Sequence, residues 1–106
     1  MTRKVVVPRE LAARDIEAAI DHYRTEASPD VALGFIEALR KGYRHISRHP
    51  ASGSGRFSHE LNIPGLRSWP LEVYPYVVFY IEREDSIDVW RVLHGQRDIP
   101  VWIGEP

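Results

Sequence analysis

The densest gathering of side chains able to move protons or hold anions lies between Val89 and Asp98. There, Arg91-Val92-Leu93-His94-Gly95-Gln96-Arg97-Asp98 places a histidine, two arginines and a carboxylate within eight residues. Histidine changes charge near neutral pH and arginine binds phosphoryl or carboxylate oxygens, so the set suits proton transfer on a phosphodiester or recognition of an anionic partner. A ribonuclease must activate a 2′-hydroxyl, stabilise a phosphorane and protonate the leaving oxygen. For those tasks the chain offers Arg67, His94 and Arg97. With no cysteine, it has no thiol nucleophile, thiolate metal site or disulfide framework.

Other candidates are weaker. His45 and His49 stand four apart on one helix face, a spacing that suits a shared metal, but no third ligand stands beside them and no metal is expected. Gly53-Ser54-Gly55 lacks the strand and helix context of a nucleophile elbow, and no phosphate-binding glycine motif is present, so neither a nucleotide cofactor nor a small-molecule substrate is expected. Arg40, Lys41, Arg44 and Arg48 form a basic stripe that Arg56 and Arg67 continue. Such a stripe is either a solvated helix face or a contact for phosphates or an acidic partner.

The elements that must carry these residues are legible from periodicity. Lys4 to Val7 reads as a strand, with Pro8 suited to open the helix after it. From Ala12, the residues Ile16, Ala19, Ile20 and Tyr23 recur at helical steps to an end near Glu26. Ser28-Pro29-Asp30 then starts a second helix, with the stripe Ala32, Phe35, Ile36, Leu39, Tyr43 and Ile46, which stops before Pro50. The link is short, so the two helices form an antiparallel hairpin. Ala51 to Gly55 reads as a flexible loop. Three strands follow, Leu66–Leu71, Tyr76–Glu82 and Ile87–Leu93, with a polar turn over Glu82 to Ser86. In the middle strand Val77, Phe79 and Ile81 share one face, and Tyr76, Val78 and Tyr80 the other. Both faces are apolar while the helices cover one, so the other is expected to receive a partner, unless the tail with Val101, Trp102 and Ile103 folds over it.

A chain of 106 residues has the size of one domain, 1–106, able to bury about 65% of its unfolded surface. Its 43% hydrophobic and 27% charged content is that of a globular chain, and its formal charge of -1 argues against indiscriminate coating of nucleic acid. The longest apolar run falls far short of the about 20 residues that span a bilayer. No membrane association or secretion signal is expected, and with no cysteines the cytoplasm is the expected compartment.

Taken together, Asp15-Ile16 followed by Tyr23, Leu66-Arg67-Ser68-Trp69-Pro70, Tyr76-Val77-Val78-Phe79-Tyr80 and the Val-Leu-His-Gly-x-Arg-Asp strand end resemble the ParE branch of the ParE/RelE toxin superfamily, from Lys4 to about Ile99. The resemblance implies an α+β fold of order β-α-α-β-β-β with a short C-terminal tail. It also implies a toxin of a type II toxin–antitoxin system, neutralised by a ParD-like antitoxin in a hetero-oligomer of 2:2 or higher stoichiometry that reaches operator DNA only through the antitoxin. ParE-like members are associated with poisoning DNA gyrase and need no bond-breaking site, whereas RelE-like members cut mRNA on the ribosome. The tyrosine that many RelE-like nucleases carry shortly after the arginine matching Arg97 is missing here, which favours the gyrase reading. A third possibility is a non-toxic co-repressor. On this reading His94, Arg97, Asp98 and Trp102 meet the target, while Tyr76, Val78, Tyr80, Trp90, Arg91, Arg40 and Arg44 meet the antitoxin.

Overall fold

The structure is a computed structural model that describes residues 3–95 together with Ile99 and Ile103. Strand β1 (Val5–Pro8) leads into helices α1 (Glu10–Glu26) and α2 (Pro29–Arg48). A 3-10 turn (Pro50–Ser52) and a short helix α3 (Arg56–Leu61) precede strands β2 (Leu66–Pro70), β3 (Tyr76–Glu82) and β4 (Ser86–His94). The sheet order is β1-β4-β3-β2, with β1 parallel to β4 and the other pairs antiparallel.

Local chemistry sets the helix ends. The Ser28 hydroxyl accepts from the Val31 N–H at 3.1 Å, Pro29 takes the first helical position and Asp30 lies in the first turn. All three satisfy or complement the exposed N–H groups at the start of α2. Pro8 closes β1 instead of opening α1, which begins at Glu10. At that point the ladder still holds the chain, because the Arg9 N–H donates to the Val89 carbonyl at 2.9 Å.

The sheet carries a core on each face. On one face, Ala12 and Ala19 of α1 and Phe35, Leu39 and Ile46 of α2 pack against Val78, Tyr80, Ile87, Val89 and Val92. On the other, Leu66, Phe79, Ile81 and Leu93 are covered by Phe57, Leu61 and Ile63 and by Ile99 and Ile103. The expectation of an uncovered face is therefore corrected. The segment read as a loop builds a 3-10 turn, and α3 beyond it supplies much of the second layer. Its sequence, Arg-Phe-Ser-His-Glu-Leu, is too short for helical periodicity to stand out.

A β-bulge decides which residues of β4 face the helices. Phe79 pairs with Arg91 and Tyr80 with Val89, leaving Trp90 as the extra residue. Strict alternation would put Ile87, Val89, Arg91 and Leu93 on one face; with the extra residue, Ile87, Val89 and Val92 face the helices and Trp90 and Leu93 the second layer. The Arg91 guanidinium meets Asp15 of α1, its Nε donating to Oδ2 at 2.8 Å and its Nη2 to Oδ1 at 2.9 Å. The Val92 N–H also donates to Oδ2, at 3.0 Å.

Two substitutions test this core. Asp15→Asn neutralises the carboxylate paired with the buried Arg91 guanidinium and is expected to cost about 3 kcal/mol, read as a lower urea midpoint. Tyr43 of α2 has a buried hydroxyl with no hydrogen-bond partner among the described residues, and burial pushes its pKa up to about 12. Tyr43→Phe removes an unmet polar group, so a thermal melt should show stability unchanged or raised by up to about 1 kcal/mol.

Candidate functional site

Of the three residues offered for phosphodiester chemistry, the two that the structure describes, Arg67 and His94, are not brought together. Arg67 pairs across the sheet with Tyr80, and His94 with Tyr76, so the two lie on the helix-facing side but on opposite flanking strands, displaced by four positions along β3. From strand geometry their Cα atoms are roughly 16 Å apart. The guanidinium of Arg67 donates from Nη1 to the Gly53 carbonyl at 2.9 Å. His94 is half-buried with its ring edge-on to Tyr76, centroids 5.3 Å apart. Arg97, Asp98 and Trp102 lie outside the described residues.

The residues expected to meet an antitoxin divide into three groups. Val78 and Tyr80 are 0% exposed against α1 and α2, so they are core residues with no surface to offer, which corrects their placement on a docking face. Arg91, 6% exposed, is likewise corrected, since Asp15 occupies its guanidinium inside the fold. Tyr76 and Trp90 are half-buried: Tyr76 packs against Phe35 and Tyr23, and Trp90 lies under the Arg9 guanidinium, 4.1 Å from its ring centre. Arg40 and Arg44 are exposed on α2, and Arg40 is paired with Glu37 at 3.1 Å.

Two clusters escaped the sequence reading. The first is held by Tyr80, whose hydroxyl donates to the Pro50 carbonyl at 2.7 Å and accepts from the Gly53 N–H at 3.1 Å. A side chain at Gly53 would sit 2.4 Å from that hydroxyl, so only glycine lets the loop approach. Beside it His45 stacks on Trp69, centroids 4.0 Å apart, and its Nε2 lies 3.0 Å from the Ser52 hydroxyl. Ser52 gives its one proton to the His49 carbonyl, so His45 Nε2 carries the hydrogen in that bond. His45 is thus engaged in packing. Among the described residues no group of three His, Asp or Glu side chains is placed to hold a metal.

The second cluster is on β4. Asp88 accepts from both Arg9, at 2.9 and 3.0 Å, and Arg83, at 3.0 and 3.3 Å. These arginines lie far apart in sequence, at the start of α1 and at the β3–β4 turn, and that separation hides the cluster from a linear reading.

With the fold and these placements in hand, comparison with known proteins is decisive at the level of family. Residues 6–99 match the family model for the ParE toxin of the type II toxin–antitoxin system parDE. The chain belongs to the ParE toxin family. Among solved structures, a chain of the chromosomal ParDE toxin–antitoxin system from P. aeruginosa has the same fold, with a TM-score of 0.71 at 20% identity, over 87% of this chain and 96% of that one. A search of curated proteins finds no match to the sequence. As a ParE family member, the protein is the toxin component of a type II toxin–antitoxin system, with an antitoxin as its partner. Its described residues contain no helix long and apolar enough to cross a membrane.

The Asp88 cluster is expected to add a stability to this ParE-family toxin that acid removes. Hydrogen bonding from Arg9, then from Arg83, holds the Asp88 carboxyl below the usual carboxylate range despite an opposing effect of burial. A depressed folded-state pKa adds stability above the unfolded value of about 4 and loses it as the pH falls through the folded value. Asp88→Asn should therefore cost about 1 kcal/mol at pH 7, with a gap from wild type that closes below about pH 4 and narrows in high salt; chemical denaturation across pH measures it.

Proposed function

We propose that this toxin, once free of a ParD-like antitoxin, arrests growth by engaging DNA gyrase, without breaking a bond itself. The observation that carries the non-catalytic reading is the separation of Arg67 from His94, with the Arg67 guanidinium already bonded to a backbone carbonyl. Acid–base catalysis requires its groups within hydrogen-bond reach of one reacting site. Family analogy supports gyrase as the target.

His94, on the exit from β4, and the residues after it, Arg97, Asp98 and Trp102, form the proposed target contact. Tyr76, Trp90 and Arg40 retain enough surface to meet the antitoxin, in an assembly of two toxins and two antitoxins or more that binds operator DNA through the antitoxin. The proposed compartment is the cytoplasm, where gyrase acts.

Inducing the toxin alone should stop growth, and co-inducing its antitoxin should restore it. With purified gyrase, plasmid and ATP, the toxin is expected to accumulate double-strand breaks. Ribosome-dependent mRNA cleavage that disappears with Arg67→Ala would overturn the proposal in favour of a nuclease, and normal growth on induction would leave a co-repressor.

A further inference from the structure

The charges of this chain are segregated. From Ala38 to His59 there is no acidic residue, while Arg40, Lys41, Arg44, Arg48 and Arg56 stand there with His45, His49 and His59. Most of the acids lie elsewhere, with Glu10, Asp15, Glu17, Asp21, Glu26, Asp30 and Glu37 on the helical hairpin before that segment and Glu82, Glu84, Asp85 and Asp88 at and beside the β3–β4 turn, while Glu60 on α3 directly follows the segment. A net charge of -1 thus conceals a molecule with a basic pole.

The fold concentrates that pole further. Within the stripe on α2, Arg40 is paired with Glu37 and Lys41 with Glu72. Beyond them Arg44 and Arg48, one helical turn apart and exposed, have no carboxylate partner among the described residues. The Tyr80-anchored loop then brings the start of α3 alongside β2 through the Ser54–Ser68 bridge, which places Arg56 and Arg67 near the end of α2. Arg56 lies over its neighbour Phe57, 4.7 Å from the ring centre, and Arg67 spends one N–H on Gly53, so both keep donors for an anion.

We propose that this pole, formed by Arg44, Arg48, Arg56 and Arg67, binds the phosphate backbone of duplex DNA directly, independently of the antitoxin and of gyrase. Charge complementarity argues for a polyanion: four cations from three elements, left unneutralised while their neighbours are paired, fit a periodic row of phosphates. The aromatic geometry argues for a duplex over a single strand. Single-strand sites offer bare aromatic faces on which splayed bases stack, whereas the Trp69 face at this pole is already covered by His45, with an angle of 15° between the rings. That stacking takes a face of Trp69 on which a base would otherwise lie.

The test is fluorescence anisotropy of the purified toxin with a labelled duplex of arbitrary sequence, across a salt series. Four phosphate contacts predict a slope of log affinity against log salt of about -3.6. The pair Arg48→Gln and Arg56→Gln should shallow it by about 2 and weaken binding about tenfold or more in a variant that a thermal melt shows to be folded, since neither side chain has an ion pair to lose among the described residues. Arg24→Gln on α1, which breaks a pair with Asp21 at the opposite pole, should leave DNA affinity as it is. No binding at low salt would overturn the proposal, as would equal losses in all variants or tighter binding of single-stranded RNA. Retention of a glutamate-rich peptide in preference to DNA, lost in the same double variant, would overturn it too and assign the pole to an acidic protein partner.

Discussion

Asp15 is the one carboxylate of α1 that faces inward, and it takes three hydrogen bonds from β4, two from the Arg91 guanidinium and one from the Val92 N–H. Apolar burial drives the helical hairpin onto the sheet but does not fix where it stops, because such contacts are non-directional. A bidentate pair with an added backbone donor is directional, so it fixes α1 both along and across the sheet. The cost is the desolvation of two charges, repaid only because the Asp15 oxygens are so fully engaged.

That arrangement lies directly beside the bulge at Trp90, and the two features account for the most chemically suggestive stretch of the chain. Arg91 and His94, a short distance apart in sequence, serve different ends: Arg91 is buried with α1, and His94 lies against Tyr76 where β4 ends. Several other arginines have a carboxylate partner, as Arg9 and Arg83 do on Asp88. Against that background Arg44 and Arg48 at the end of α2 stand apart, exposed and with no carboxylate partner among the described residues.

The hairpin and the strands were legible because their signals are local: Ser28-Pro29-Asp30 marks a helix start, and Tyr76 to Glu82 is an apolar run of strand length. The family, too, was readable from motifs spread over the chain. What could not be read depends on contacts distant in sequence. Nothing in Phe57, Leu61 and Ile63 alone says that they cover Phe79 and Ile81, and no pattern marks Trp90 as a bulged residue. Val78 and Tyr80 read as available because the face that the hairpin covers is likewise set by distant contacts, and Arg91 because its partner Asp15 lies on another element far away in sequence. Val73, fully exposed in the link between β2 and β3, adopts a φ of 69°, which a β-branched side chain resists, and no sequence rule would place it there.

The parallel pairing of β1 with β4 joins Val5 to Ser86, the first strand made to the last. A ribosome working at roughly 5–20 residues per second therefore holds β1 without its sheet partner for several seconds, and α1 cannot lock through Asp15 until Arg91 has been added. The hairpin can form early, but the surfaces that depend on β4 come into being only near the end of translation. A toxin built in this order is assembled last at the very elements that complete it.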